Sequence, residues 1–331
     1  FLQMLKFSPL VGIIGHRQVG KTTLIQQQNI HYLTLDDQDT LSLAQKNPKK
    51  FVQGLTHPPT ALDECQVVPG LFPALKEKVR LNQKPGQVVL SGSVRFSSLK
   101  AIRESLTGRI VNLELLPFSV SELTQLPLPN TVLKLLRSAN LQQLLGVEEL
   151  SIKKSFALET ATKTYLINGG LPGICFIRKE DIRHKRIQEQ LRLMLDRDLR
   201  LVHNTTLPFT QIFDFYKTLS VQEGFPIQYS HFQQLVGISE ITQKNILNAL
   251  EGIFLLRRFA IEGGRKGFVF YLEDQAEAVF LKNQIQNNDT KYFQDFEGII
   301  YRNCRVQLEY HLGISYQFFH FLTSGGARVP V

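Results

Sequence analysis

The chain has 331 residues, 43% of them hydrophobic, and a formal net charge of +9, which is too long for one ordinary domain and apolar enough for real cores. Its three cysteines, Cys65, Cys175 and Cys304, are far apart and form no CxxC pair, so composition supports neither a disulfide framework nor a zinc site and points to a reducing cytoplasm. No apolar run approaches the roughly 18 residues that span a bilayer, no basic region leads into an apolar core at the N-terminus, and the start at Phe1 rather than Met leads us to expect a piece upstream.

In chain order the first signal is the strongest. Residues 11–24 read VGIIGHRQVGKTTL: a buried strand over residues 10–14, a glycine-rich turn, and a helix start over residues 22–28. The turn matches GxxxxGK[ST], with Gly15 and Gly20 as its glycines and Val19, Lys21, Thr22 and Thr23 completing the phosphate-binding set. A loop poor in Cβ atoms can aim successive backbone N–H groups at one anion, and the following helix adds its positive end. Lys21 is expected to reach the β- and γ-phosphates, and the Thr22 hydroxyl to hold Mg²⁺. A tight turn before a packing helix would use the same glycines, but it leaves Lys21 and Thr22 without a reason. The charge distribution agrees: the excess of Lys and Arg lies in residues 1–203, and part of it is what a polyphosphate site requires.

A second strand over residues 30–35 runs into Asp36, Asp37 and Asp39, read here as a solvated turn with a helix cap rather than a functional cluster. Asn47-Pro48-Lys49-Lys50 marks a break. A third strand, residues 59–62, delivers Asp63 and Glu64 at its carboxyl end. An apolar strand ending in Asp-Glu some 40 residues after a phosphate loop is the Walker B arrangement. Asp63 is then expected to hold Mg²⁺, and Glu64 to orient and deprotonate the attacking water. A helix N-cap acid is the competing account.

Leu71, Phe72, Leu75 and Val79 share one face of a helix beginning near Pro69, and a fourth strand, residues 88–90, ends in Ser91-Gly92-Ser93. If that strand lies between the first and third, Ser91 or Ser93 sits beside the γ-phosphate; a simple turn explains the same residues equally well. Arg109 opens a fifth strand, residues 110–115, and is a candidate γ-phosphate contact, in cis or across a subunit interface, with a surface arginine snorkelling beside the sheet as the alternative. No NKxD follows the loop and no LSGGQ precedes Asp63, which favours ATP over GTP and disfavours a transporter cassette.

The stretches GHRQVGKTTL, ALDECQVVPGLFPALKEKV, VVLSGSVRFSSLK, SLTGRIVNLELLPFSVSEL and YLINGGLPGI, in this order, resemble the bacterial and archaeal family of AAA-type ATP-binding proteins with a C-terminal domain of unknown function. The resemblance implies an α/β P-loop NTPase core over residues 1–125, a parallel sheet flanked by helices of the additional-strand type. It further implies a helical lid or linker (126–203), a winged helix (204–262) and a partial nuclease-like α/β domain (263–331).

Residues 117–203 read as helical, with loops at 127–129 and 169–173. Between Arg178 and Arg200 stand eight basic residues against five acids; a solvated face is favoured over a nucleic-acid surface. Asp198 falls on the apolar stripe of Ile187, Leu191, Met194, Leu195 and Val202, as an interdomain ion pair with Arg197 or Arg200 or as a sign of helix fraying. The winged helix would place helices at 209–221, 230–236 (capped by Ser230) and 239–250, a turn at Gly237, and a strand at 254–260. Its third helix has Lys244 as its only basic residue, so DNA binding is not favoured, and a homo-oligomer or protein contact through this module is.

In the last segment Glu297 matches the early glutamate of a nuclease-like domain, but Gly326-Ala327-Arg328-Val329-Pro330 has Pro330 where the resemblance implies an Asp. Converging carboxylates being required for metal-dependent hydrolysis, no nuclease activity is expected, and the stop at Val331 reads as a truncation. The sequence thus reads as a cytoplasmic, Mg²⁺-dependent ATP-binding protein with weak ATPase activity, acting as a conformational switch. A DNA-associated or defence-type protein and a degenerate product are the alternatives.

Overall fold

A computed structural model describes residues 1–127, 129, 131–137, 156–263, 267–285, 292–310, 316–323, 325 and 327–329. The chain forms two compact units, Phe1–Leu116 with Arg192–Thr206 and Asn245–Phe254, and Pro117–Leu191 with Leu207–Lys244 and Leu255–Val331.

The first unit is built on five strands, β1 (Leu10–Gly15), β2 (His31–Thr34), β3 (Thr60–Asp63), β4 (Val88–Gly92) and β5 (Ile110–Leu115), in the order β2-β3-β4-β1-β5. Every pairing is parallel: Leu10 stands opposite both Val88 and Ile110, Thr60 opposite Val88, and Tyr32 opposite Ala61. β1, β3 and β4 are buried at every position, which is why they read as apolar runs. Alternate residues serve opposite faces. Leu10, Ile14, Leu62, Val88 and Leu90 pack with Leu71, Phe72, Leu75 and Val79, whereas Ile13, Ala61 and Val89 pack with Ile25.

The helices are α1 (Lys21–Gln26), α2 (Gln38–Lys46), α3 (Pro48–Gln53), α4 (Leu71–Leu81) and α5 (Lys100–Leu106). The expected cap is present: Asp37 accepts from Thr40 N–H at 2.9 Å and starts α2. The expected break is a helix junction, with Asn47 accepting from Lys50 N–H at 2.9 Å and Pro48 in the first turn of α3.

Two later segments complete this unit. A π-helical turn, Met194–Asp198, leads into the helix Leu199–Val202, and residues 245–254 bring Phe254 into the core. Arg95, just beyond β4, ties the second segment in. Its guanidinium donates to Glu114 at 2.9 and 3.2 Å and to Glu251 O at 2.9 Å, and it lies 4.3 Å from the centre of the Phe254 ring.

In the second unit, helices Phe209–Ser220, Tyr229–Val236 and Glu240–Gly252, whose last residues belong to the first unit, precede an antiparallel pair, β6 (Leu256–Glu262) and β7 (Phe268–Leu272). Ser230 does not cap its helix: Gln228 stands at that position without a side-chain bond, and the helix begins one residue earlier than expected. β6 also pairs in parallel with β8 (His320–Leu322), which pairs with β9 (Arg328–Val329). One sheet, β7-β6-β8-β9, therefore runs across the boundary expected after residue 262.

Buried charges are paired within this unit. Glu223 accepts from Lys282 Nζ (2.7 Å), Arg302 Nη2 (2.8 Å) and Leu272 N–H (2.7 Å). Asp274 caps the helix Gln275–Asn283 and accepts from Gly170 N–H at 2.8 Å. A Cβ on Gly169 would overlap that carboxylate, and its φ of +68° favours glycine, which accounts for the Gly-Gly of YLINGGLPGI. Arg328 donates to Glu297 Oε1 at 2.5 Å; Gly326, Pro330 and Val331 lie outside the described residues. Among the described residues no helix is long and apolar enough to cross a membrane, and no three His, Cys, Asp or Glu side chains converge on a metal position.

Candidate nucleotide-binding site

β1 ends at Gly15, where φ is +154° and a Cβ would overlap the Leu115 carbonyl, so the chain can turn into the loop here only as glycine. The loop closes on the Lys21 ammonium, which donates to Gly15 O at 2.9 Å and His16 O at 2.8 Å. Lys21 is 6% exposed, and burial lowers its pKa from 10.5 to about 8 against the opposing pull of Glu64 and Asp63. Val19 is buried in the loop and Thr23 is exposed in the first turn of α1.

The carboxyl end of β3 reaches the same place. Asp63 Oδ2 accepts from Thr22 Oγ1 and from Tyr32 Oη, each at 2.7 Å, and Oδ1 accepts from Glu64 N–H at 3.0 Å. Burial raises the Asp63 pKa, but the Ser91 hydroxyl and these three bonds outweigh it and hold the carboxyl below its ordinary value. Ser91 Oγ itself is buried.

Glu64 has a φ of +52°, unusual for a residue with a side chain. Its carboxylate accepts from Gln66 Nε2 and from Ser93 Oγ (3.4 Å), and Gln66 Nε2 also lies 3.3 Å from Ser93 Oγ. β4 does stand between β1 and β3, and the two serines divide their roles: Ser93 supports Glu64, while Ser91 lies beside Asp63.

Arg109 is not part of this cluster. It precedes Ile110, which pairs with Leu10, whereas the loop leaves from Gly15, which pairs with Leu115. Five residues of strand separate them, roughly 17 Å, so Arg109 sits at the amino edge of the sheet and makes no γ-phosphate contact in cis. There it donates to Thr107 O at 3.3 Å and lines a surface cavity of about 780 Å³ with Phe7 and Arg80.

Three residues that the sequence reading passed over belong to the site: Tyr32, Gln66 and Arg17. Arg17, inside the loop, donates through Nε to Asp198 Oδ2 at 2.5 Å and through Nη2 to Asp198 Oδ1 at 3.3 Å. The partner of Asp198 is thus the loop arginine, with Arg197 Nε a second at 3.1 Å, and the pair lies within one unit rather than between domains. Arg200 instead bonds Thr205 O and pairs with Asp196 at 3.5 Å. Burial disfavours the Arg17 charge, but the bond and charge of Asp198 more than offset it and raise its pKa. On the basic face upstream, Arg183 donates to Ile177 O at 3.0 Å and Arg186 pairs with Glu189 at 3.9 Å.

Two cations in a closed loop suit a polyphosphate. The adjoining hydroxyl and carboxylate of Thr22 and Asp63 are hard oxygen donors that suit Mg²⁺.

Residues 8–124 match a family model described as an AAA domain, and residues 159–260 match a domain of unknown function (DUF8612). Two uncharacterized proteins, from Mycobacterium bovis and Mycobacterium tuberculosis, are each 30% identical over 118 residues, 35% of this chain and 26% of theirs. The match therefore spans about a quarter of the length of these curated relatives. Among solved structures, a DNA replication initiation factor aligns at 12% identity over 76% of this chain and 84% of its own, with a TM-score of 0.28. Shikimate kinase from Acinetobacter baumannii, in complex with shikimate, aligns at 16% identity over 49% and 93%, with a TM-score of 0.20.

Proposed function

Since this chain carries an AAA-type P-loop NTPase domain, we propose that it binds ATP with Mg²⁺, hydrolyses it slowly, and uses the bound state as a conformational switch. One observation carries the reading: a lysine enclosed by a glycine loop is followed by a threonine hydrogen-bonded, at 2.7 Å, to the acid that ends a strand two places away in the sheet.

Lys21 exchanges the carbonyls of Gly15 and His16 for phosphate oxygens, which are stronger acceptors for an ammonium. Thr22 and Asp63 would hold Mg²⁺, which when bound neutralises charge on the β- and γ-phosphoryl oxygens. Glu64, kept in direction by Gln66 and Ser93, orients a water and takes its proton. Arg109 acts across an interface with a second copy. A contact with a protein partner or second copy through the helices of 209–252 and a cytoplasmic location complete the proposal; free Cys65, Cys175 and Cys304 support the last.

Calorimetric titration with ATP and Mg²⁺, against GTP, tests the reading. Wild type should bind ATP, and saturation at about 100 times the dissociation constant should add roughly 2.7 kcal/mol of stability. Lys21→Ala should bind neither nucleotide. Equal ATP affinity in wild type and Lys21→Ala would remove the assignment.

A further inference from the structure

We propose that Arg17 is a γ-phosphate contact supplied in cis, and that Asp198 is a positioning residue which holds it in reserve until a triphosphate enters the loop. The inference rests on the ATP-binding reading above and extends it to how the site tells ATP from ADP.

The geometry puts Arg17 where a terminal phosphate must be recognised. Lys21 is bonded to the carbonyls of Gly15 and His16, and Arg17 is the next residue of the loop. Its Nη2 lies 3.9 Å from Glu64 Oε2, the carboxylate assigned to the attacking water. The guanidinium therefore stands between Glu64 and Asp198, with 16% of its side chain exposed. A terminal phosphate between Lys21 and Glu64 would fall within the reach of Arg17.

Asp198 fits a reversible partner better than a fixed tie. It is fully buried, and a buried carboxylate stripped of its only cation is costly. This one has a second cation: Arg197 Nε, on a side chain 44% exposed, stays at 3.1 Å when Arg17 leaves. The carboxylate and a phosphate both accept from two guanidinium nitrogens, so Arg17 exchanges one acceptor for a like one. Asp198 also sits on a π-helical turn, a widened backbone arrangement that recurs at functional sites. A diphosphate offers no oxygen at that position, and Arg17 then keeps Asp198.

Affinities of the full chain for ATP and for ADP, both with excess Mg²⁺, decide the matter by calorimetry. Arg17→Ala should weaken ATP by about tenfold and leave ADP within about twofold, with Arg17→Lys between the two. Asp198→Asn should tighten ATP several-fold and leave ADP unchanged, because the competing anion is gone. In the double variant that gain should vanish. Parallel changes for both nucleotides, or a lowered melting temperature with an unchanged ATP-to-ADP ratio, would show a structural tie and overturn the proposal. If Asp198→Asn does not fold, the ratios in Arg17→Ala and Arg17→Lys still decide. A wild type that binds neither nucleotide overturns the ATP reading itself; a wild type that binds, with Arg17→Ala keeping the ratio, overturns only this inference.

Discussion

Lys21 should make ATP binding take up a proton. Burial in the closed loop lowers its pKa from 10.5 to about 8, a displacement on the order of 3 kcal/mol in favour of the neutral amine. Between those two values the unfolded chain binds more protons than the folded one. Stability without nucleotide therefore rises as pH goes from about 8 to 10.5 and is lower by that amount below pH 8. Phosphate oxygens beside the ammonium reverse the preference, so binding restores the proton that the free protein has lost. Near pH 8 the uptake should be about half a proton, approaching one above about pH 9, where the logarithm of the affinity falls with a slope near one. Titrating Mg-ATP at a single pH in two buffers of different ionisation enthalpy measures the uptake directly, and Lys21→Arg, which stays charged, should abolish it. Tight binding with a buffer-independent enthalpy at pH 8 to 8.5 would refute the reasoning.

Glu64→Gln should keep ATP affinity and lose about 10²- to 10⁴-fold in phosphate release; hydrolysis at the wild-type rate would take Glu64 out of the role of base. Arg95→Ala strips Glu114 of its guanidinium and uncouples residues 245–254 from β4, and should cost about 2–4 kcal/mol in denaturant unfolding; a loss under about 0.5 kcal/mol would contradict the packing argument. Arg302→Met leaves Glu223 with Lys282 and the Leu272 N–H and should cost about 3–5 kcal/mol. Burial raises the Glu223 pKa, but Lys282 and Arg302 hold it below 4.5, so its contribution is present above that pH and lost as pH falls through the folded value; acid unfolding of Arg302→Met should begin at higher pH.

The sheet was legible because its signals are local. A glycine loop, an apolar run and a terminal acid each occupy a few consecutive residues, and β4 carried its own apolar run. Element ends shifted by one or two residues, as with Tyr229 for Ser230, because cap geometry depends on backbone angles that composition does not encode. Of the two partners of Asp198, Arg197 lay in plain view and pairs with it at 3.1 Å, whereas Arg17, 181 residues away, was hidden by distance. The distance of Arg109 from the loop within one chain was readable. In parallel sheets ligands gather at the carboxyl ends of strands, and Arg109 precedes its strand. The pairing of β6 with β8 left no trace, since a three-residue strand has too few positions to show alternation.

The three-piece make-up of the first unit has a consequence for biosynthesis. All five strands of the parallel sheet are present once Leu115 has been added, but the core is completed only when Phe254 follows, about 140 residues later. At roughly 5–20 residues per second that interval is about 7–28 s. For part of it the nascent chain carries Arg17 with Asp198 not yet made, so the loop exists before its internal anion does. A fragment cut after residue 116 would freeze that intermediate: it keeps Lys21, Asp63, Glu64 and Ser91, and lacks Asp198, Gly252 and Phe254.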